Sequence, residues 1–187
     1  ILIRTDDSVM RVNPETGGQQ FFRRARGYTP EPVFLSPTET GENPCVLGVG
    51  PELKNTLCLT KGDQAFVSQH IGDMENMETL GFFQEIAAHL RSILKVKPEA
   101  VVRDLHPDYM STTFAREYAE EHGIPLLSLQ HHFAHAHAVL AEHKHQGPAL
   151  ALALDGTGYG EDKTLWGGEL LFVDNQTLEH RRLARMS

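Results

Sequence analysis

The sequence predicts an α/β protein whose sheet has parallel strands at its centre and an antiparallel meander at its start. From residue 45 onward, apolar runs of strand length alternate with segments in which apolar residues recur every three or four positions, as on one face of a helix. Glycine, proline and polar turn residues separate these runs. Such alternation is typical of parallel strands joined by crossover helices.

The composition excludes several functional classes. Of the 187 residues, 40% are hydrophobic and 22% are charged, which is typical of a globular domain. A net charge of −8 argues against a broad nucleic-acid-binding surface, and no apolar segment of about 20 residues predicts a membrane span. Cys45 and Cys58 are interpreted as buried, reduced thiols, which predicts a cytoplasmic protein.

Residues 1–28 are predicted to form a small β-rich segment of their own. Ile1–Arg4 and Ser8–Val12 alternate like strands around a turn, and the arginine-rich stretch Arg23–Arg26 is interpreted as a solvated basic run. Four prolines and a stretch rich in Thr and Glu predict a linker over 29–44. Because the chain starts without methionine inside an apolar run, we expect it to be part of a longer protein.

The predicted sheet begins with a three-stranded meander. Its strands are the apolar runs Cys45–Gly50, Thr56–Thr60 and Ala65–His70, and the glycine turn Lys61–Asp63 joins the last two. In the segment 80–94 that follows, apolar residues recur three and four positions apart, which predicts an amphipathic helix of about five turns.

Strands and helices alternate in the next part of the chain. Ala100–Asp104 predicts a buried strand, and Thr112–Glu121 predicts a helix that begins with a threonine cap and closes before a glycine. Leu126–Leu129 is the next predicted strand. A histidine-rich helix is predicted over 131–144.

The last predicted elements are strands. Ala149–Leu154 is apolar throughout and is interpreted as a buried central strand that presents Asp155 at its carboxyl end. Trp166–Val173 and Leu178–Leu183 predict a closing hairpin. The predicted order, βββαβαβα plus a C-terminal hairpin, is that of an actin-like or ribonuclease-H-like lobe.

The histidine-rich helix predicts a metal site. His131 and His135 lie one turn apart on one helix face, so their imidazoles can bind one ion together with the carboxylate of Asp155. His132 is a candidate to support these ligands, and it forms the second-best pair with His135. Imidazole and carboxylate ligands suit a divalent metal such as iron, zinc or manganese. The alternative is an amphipathic helix that packs against the core, has its histidines at the solvent-exposed edge and binds no metal.

Two turns are candidates for binding phosphate. Asp155 opens a loop with three glycines in five positions, which lets backbone N–H groups approach an anion. The turn that contains Lys54, Asn55 and Thr56 offers further donors. The alternatives are an Asx turn and an ordinary polar turn. Residue 132 is histidine where a zincin peptidase needs glutamate, which argues against that class.

Motifs in several parts of the chain occur in the order of one known family. They are Leu53–Thr56, Ser68–Asp73, His131–His135 and Asp155–Gly160 with Trp166–Glu169. Together they resemble the HypF carbamoyltransferases of nickel–iron hydrogenase maturation, and the resemblance spans essentially the whole chain.

The resemblance implies a domain organisation. Residues 1–28 resemble the C-terminal remnant of a YrdC-like domain, 29–44 a linker, and 45–187 the first lobe of an incomplete Kae-like, actin-type carbamoyltransferase domain. Since an actin-like site lies between two lobes, we expect this polypeptide alone to be inactive or nearly so.

The resemblance also implies a two-step reaction. Carbamoyl phosphate and ATP would give carbamoyl-adenylate at a YrdC-like site. The Kae-like site would then transfer the carbamoyl group to the C-terminal cysteine of the acceptor protein HypE, for synthesis of cyanide ligands. His131, His135 and Asp155 would bind iron or zinc. The residues implied to contact the nucleotide or carbamoyl-adenylate are Lys54, Asn55, Thr56, Asp155, Gly156, Thr157, Gly158, Gly160, Gly167, Gly168 and Glu169.

Three other functions are compatible with the sequence. An O-carbamoyltransferase of small-molecule biosynthesis would share the metal and the adenylate, but the YrdC-like remnant favours the hydrogenase branch. The acidic balance and the His131–His132 doublet argue against a threonylcarbamoyltransferase that modifies tRNA. The third is a metal- or nucleotide-binding module without catalysis.

Overall fold

The computed structural model describes residues 3–36, 41 and 43–186. Its strands are β1 (Val9–Val12), β2 (Gln19–Arg23), β3 (Val33–Phe34), β4 (Val46–Val49), β5 (Leu57–Lys61), β6 (Gln64–Val67), β7 (Ala100–Asp104), β8 (Leu126–Leu129), β9 (Pro148–Ala153), β10 (Gly158–Tyr159), β11 (Leu165–Trp166), β12 (Glu169–Asp174) and β13 (His180–Arg185). Its helices are α1 (Met77–Leu94), α2 (Met110–His122) and α3 (His131–Glu142). None of the helices in these ranges is long and apolar enough to span a membrane.

Six strands form the main sheet, in the order β3-β6-β5-β4-β7-β8. β4, β5 and β6 are antiparallel neighbours and form the predicted meander, because short turns return the chain beside itself. β7 lies parallel to β4, and β8 lies parallel to β7, after connections that contain α1 and α2. The predicted α/β fold with parallel strands at its heart is confirmed.

One face of this sheet packs against α1 and α2. Leu47, Leu59 and Val101 point to this face from neighbouring strands and are no more than 1% exposed. Phe83 and Ile86, which the helical spacing places on one stripe of α1, belong to the same cluster. Burial of each large apolar side chain contributes about 1.5–3 kcal/mol, so a shift of register by one residue would be costly.

The start of α2 corrects the prediction of a threonine cap. The helix begins at Met110, and its N-cap residue Tyr109 makes no side-chain cap bond. Glu52 instead reaches in from the loop after β4 and accepts a hydrogen bond from the backbone nitrogen of Met110 at 2.6 Å. Thr112 lies inside the helix, where its hydroxyl donates to the carbonyl oxygen of His106. A contact that is remote in sequence therefore replaces the local cap.

The last long strands form a second sheet of three strands, in the order β13-β12-β9. The predicted hairpin is confirmed as β12–β13. The interpretation of Ala149–Leu154 as a buried central strand is wrong, because β9 pairs with β12 alone among the described residues. Leu150, Leu152 and Leu154 are 69%, 62% and 66% exposed. When every residue of a strand is apolar, the sequence does not show which of its faces is buried.

The predicted strand Trp166–Val173 is divided in two. Gly167 and Gly168 separate β11 from β12. Gly168 has a φ of +72°, which residues with a side chain rarely adopt. β11 pairs with β10 in a short hairpin. This hairpin holds the loop that follows Asp155.

The N-terminal segment also differs from the prediction. β1 confirms the second predicted strand, but its partner β2 was not predicted. Ile3 and Arg4 are not in a strand, and the two residues before them lie outside the described part of the chain. β3 lies inside the predicted linker and pairs with β6 at the edge of the main sheet. Residues 37–40 and 42 of that linker lie outside the described residues.

Candidate metal site

The ends of two strands bring the candidate ligands together. β8 leads through Gln130 into α3, whose first residue is His131, so the helix starts at the carboxyl edge of the main sheet. β9, in the second sheet, ends just before Asp155. His135 follows one turn after His131 on the same face of α3. The structure therefore places the three predicted metal ligands at one point between the two sheets.

The ligand atoms of these three side chains face one another. His131 Nε2 and His135 Nε2 are 3.1 Å apart. Asp155 Oδ2 lies 3.1 Å from the first nitrogen and 3.4 Å from the second. Ligands bound about 2.1 Å from a common ion lie roughly 3.0–3.4 Å from one another. The triangle therefore has the size that a divalent metal ion requires.

Among the described residues, the carboxylate of Asp155 forms close polar contacts only with the imidazoles of His131, His132 and His135. Both oxygens are buried, and neither accepts a hydrogen bond from the described residues. A buried carboxylate without donors is costly, and a bound cation would remove that cost. Because two imidazoles and a carboxylate suit iron, zinc or manganese, the residues present fit a divalent metal.

His132 contacts the other oxygen of this carboxylate. It is fully buried, and its Nε2 lies 2.8 Å from Asp155 Oδ1. Its Nδ1 lies 3.0 Å from the side-chain nitrogen of Gln130, which can only donate, so the proton of a neutral His132 is on Nε2. The oxygen of Gln130 accepts hydrogen bonds from the backbone nitrogens of His132 and Phe133. Gln130 thus caps α3 and holds His132 against Asp155.

The three imidazoles differ in their electrostatic surroundings. The hydrogen bond to Asp104 raises the pKa of His131, and the negative charges of Asp104 and Asp155 add to this effect. Burial lowers the pKa of His132 and that of His135. A lowered pKa keeps an imidazole neutral near physiological pH, which is the form that binds a metal.

A cavity of about 360 Å³ lies beside the ligands. His131 and His135 line it together with residues of the main sheet, among them Cys58, Val102 and Leu129. Burial raises the pKa of the Cys58 thiol to about 11, so the thiol stays protonated. Both cysteines are free thiols; Cys45 is buried as predicted, whereas the residue Cys58 is only partly buried. The mostly apolar walls leave room for a small group beside the proposed metal position, and the cavity is open to solvent on the side of His135.

The turn predicted to bind phosphate contributes less to this cavity than expected. Thr56 lines the cavity, whereas Lys54 is exposed to solvent. Asn55 is fully buried, and its amide nitrogen donates to the carbonyl oxygens of Gly50 and Pro51 at 2.9 and 2.7 Å. Asn55 therefore fixes the shape of the turn.

The loop after Asp155 has an exposed part and a packed part. Gly156 and Thr157 are exposed, whereas Gly158 and Gly160 are buried. A Cβ atom at Gly158 would lie 2.7 Å from Cε1 of His132, and a Cβ atom at Gly160 would overlap the ring of Trp166. These two glycines allow close packing, and the first two residues of the loop present open backbone.

Glu169 lies in the protein interior, whereas the resemblance to the family implies that it contacts the nucleotide. It is fully buried, and Arg182 donates to both of its oxygens at 2.7 Å. The backbone nitrogen of Gly167 donates to the same carboxylate at 2.9 Å. The hydrogen bonds from Arg182 hold the pKa of Glu169 below its ordinary value. Glu169 therefore supports the Gly167–Gly168 turn from inside, and its carboxylate is not exposed to a ligand.

Asp104 and Gln130 are site residues that the sequence prediction missed. The sequence predicts Asp104 as the end of a strand, but no sequence pattern connects its carboxylate with the histidines. Since β7 and β8 are parallel neighbours, their carboxyl ends place Asp104 next to the start of α3. Gln130 precedes an apolar helical pattern at the N-cap position, where its type is less common than Ser, Thr, Asp or Asn.

Two family models match this chain. Residues 41–142 match the HypF Kae1-like domain, and residues 151–187 match the second subdomain of the carbamoyltransferase Kae1-like domain. The chain belongs to the HypF family. The resemblance predicted from the sequence motifs is thereby confirmed, and so is the predicted Kae-like domain.

HypF proteins of known sequence and structure are similar over nearly the whole chain. Carbamoyltransferase HypF2 of Cupriavidus necator is 51% identical over 175 residues, which are 93% of this chain and 21% of the relative. Carbamoyltransferase HypF of Rhizobium leguminosarum bv. viciae is 49% identical over 175 residues, which are 94% of this chain and 22% of the relative.

A crystal structure of full-length HypF in its phosphate- and nucleotide-bound form matches with a TM-score of 0.89 and 38% sequence identity. The match covers 98% of this chain and 23% of that one. The chain thus spans about a fifth of the length of the HypF proteins that it matches.

Proposed function

We propose that this chain carries the metal site of a HypF-type carbamoyltransferase that uses carbamoyl phosphate and ATP. The observation that carries the proposal is the triangle of His131, His135 and Asp155, whose buried carboxylate oxygens contact only histidine side chains in the described residues. The relatives of this chain are named carbamoyltransferases, which supports the reaction class.

The residues around the triangle prepare it for an ion. His131 and His135 each aim Nε2 at the same point, and His132 holds Asp155 by its second oxygen. When bound, the metal would act as a Lewis acid toward a carbamoyl or phosphate oxygen. Because the oxygens of Asp155 are buried, their interaction with a bound cation would be stronger than in bulk solvent.

The nucleotide part of the proposal rests on open backbone near the ligands. Gly156 and Thr157 are exposed directly after Asp155, so their N–H groups are available to the phosphate of carbamoyl-adenylate. Thr56 lines the cavity and offers a hydroxyl donor. Together these groups would orient the adenylate so that its carbamoyl carbon lies near the ion.

The proposed acceptor is the C-terminal cysteine of a HypE-type protein in the cytoplasm. The cysteine thiolate would attack the carbamoyl carbon, a C–S bond would form, and AMP would leave with the electron pair of the broken C–O bond. We expect no nucleic-acid partner, because the chain carries a net charge of −8.

The domain boundaries are also a proposal. We assign residues 1–28 to the end of a preceding YrdC-like domain and place the start of the lobe after the linker 29–44. The second family model begins at residue 151, so we now place the end of the first lobe between α3 and β9.

Metal titration tests the proposed function. The chelator-treated chain is expected to bind one equivalent of iron(II) or zinc(II), and His131→Ala or His135→Ala should lower the affinity by at least about 100-fold. His143→Ala is the matched control, because His143 is exposed just after α3. Equal binding by the wild type and both site variants would refute the proposed site.

A further inference from the structure

Asp104 is a buried carboxylate that the proposed metal triangle does not include. It ends β7 at the carboxyl edge of the main sheet and is 8% exposed. Each of its oxygens has one donor: His131 Nδ1 lies 2.9 Å from Oδ2, and the backbone nitrogen of His106 donates to Oδ1 at 2.8 Å. The carboxylate is therefore held in place while it contacts one predicted ligand.

The turn that follows Asp104 is rigid. Arg103 donates to the carbonyl oxygen of Asp104 at 2.7 Å. The ring of His106 stacks on that of Tyr109, with centroids 4.0 Å apart and an angle of 7° between the planes. The edge of Tyr159, from the loop after Asp155, meets His106 at a centroid distance of 5.3 Å. The turn that directs the Asp104 carboxylate is thus packed from the main sheet and from the β10–β11 hairpin.

The two nitrogens of His131 face different partners. Nδ1 faces Asp104, and Nε2 faces Asp155 Oδ2 at 3.1 Å. Of these two contacts, only the one with Asp104 has the geometry of a hydrogen bond, and an ionised carboxylate only accepts, so we place the proton of a neutral His131 on Nδ1. The lone pair of Nε2 is then left for the ion, because one ring nitrogen of a neutral imidazole lacks a proton.

We propose that Asp104 is a positioning residue, which fixes the tautomer and ring orientation of His131 so that Nε2 is available to the metal. The inference rests on the proposed metal site and extends it by a residue that does not touch the ion. Carboxylates in this position typically change metal affinity by about 10–100-fold when they are replaced.

Asp104→Asn separates this role from one of shape alone. Asparagine has the same size, but it offers one acceptor and one donor group where aspartate offers two acceptors. The oxygen is expected to stay with the His106 N–H, so the amide would donate to His131 Nδ1. The proton of His131 would then move to Nε2 and block the ligand position.

The first measurement requires no metal. Nitrogen-15 NMR of the metal-free chain in mildly alkaline buffer distinguishes the two tautomers of a neutral histidine. We expect the Nδ1–H form for His131 in the wild type and the Nε2–H form in Asp104→Asn. A wild-type His131 in the Nε2–H form would overturn the inference, and this result decides the question even if the variant does not fold.

The second measurement is the affinity for zinc(II) alone. Asp104→Asn is expected to bind about 10–100-fold more weakly than the wild type. Asp108→Asn removes the same charge from an exposed position on the same turn and should bind like the wild type. If the wild type binds and His131→Ala does not, but Asp104→Asn binds as tightly as the wild type, the positioning role is wrong and the metal site stands. Absence of binding by the wild type would instead refute the proposed function and the inference that rests on it.

Discussion

The residues around the site fall into two groups. Some are candidate metal ligands or contact one, and others stabilise the strands and loops that carry these ligands. Glu169 and Arg182 belong to the second group, although one is acidic and the other basic near a predicted anion site. Arg182 also lies over the ring of Trp166, with its guanidinium carbon 4.3 Å from the ring centroid. The pair therefore links β12 and β13 to the hairpin that carries the Asp155 loop.

Glu169→Gln is expected to destabilise the folded protein by about 1.5–3 kcal/mol, because the fully buried side chain would lose its charge-assisted hydrogen bonds with Arg182. Urea unfolding followed by the fluorescence of Trp166, the single tryptophan of the sequence, measures this change. Glu179→Gln is the matched control, since Glu179 pairs with Arg181 at the surface. Identical unfolding midpoints for the two variants would show that the buried pair contributes nothing.

The same pair predicts a pH dependence of stability. Arg182 lowers the pKa of Glu169, so the folded state binds this proton less tightly than the unfolded state does. The stabilisation is therefore complete above the ordinary glutamate pKa of 4.5 and is lost as the pH falls through the lower folded value. On acidification through this range the wild type should lose more stability than Glu169→Gln. Parallel curves of unfolding free energy against pH would contradict this assignment.

Among the elements, the loop after β9 and the start of α3 approach more closely than a side chain would allow. A Cβ atom at position 158 would lie 2.7 Å from His132 and 2.8 Å from the Cβ of His131. Neither atom can move away easily, because His132 is fully buried and the Cβ of His131 is fixed by the helix backbone. The close contact is what places Asp155 against the histidines.

Gly158→Ala is therefore expected to destabilise the protein by about 1–3 kcal/mol and to weaken zinc(II) binding, because the loop must retreat from α3. Thermal unfolding and metal titration measure the two effects. Gly156→Ala is the control in the same loop, since a Cβ atom there meets nothing within 4 Å. If both variants bind and unfold alike, close packing at Gly158 does not position the site.

The sequence predicted those elements whose pattern is local. The meander, α1 and the strands before the histidine helix follow from periodicity and turn residues, and the helical spacing of His131 and His135 follows directly. The cap of α2 by Glu52 could not be predicted, because the partner is 58 residues away. The ion pair of Glu169 depends on the register of β12 and β13, which the sequence does not state.

In the whole molecule, two sheets contribute unequally to the site. The main sheet has six strands with α1 and α2 packed on one face, whereas the second sheet has three strands in the described residues. The leucines of β9 and the residue after it form an exposed apolar row, at Leu150, Leu152 and Leu154. Large apolar side chains in a continuous row indicate a surface that packs against other structure. The part of the site that the second sheet contributes is therefore less complete than the part that the main sheet contributes.

Because the two sheets contribute unequally to the site, we expect the chain alone to bind a metal without catalysing the reaction. The triangle of His131, His135 and Asp155 is formed within the chain, so the 187-residue polypeptide is expected to bind a metal. The chain spans about a fifth of its HypF relatives, and carbamoyl transfer requires groups on both sides of the adenylate. We therefore expect no carbamoyl-phosphate-dependent release of AMP from ATP by the chain alone. Sustained turnover in this assay would show that the described residues already form a complete active site, whereas metal binding without turnover is the expected result.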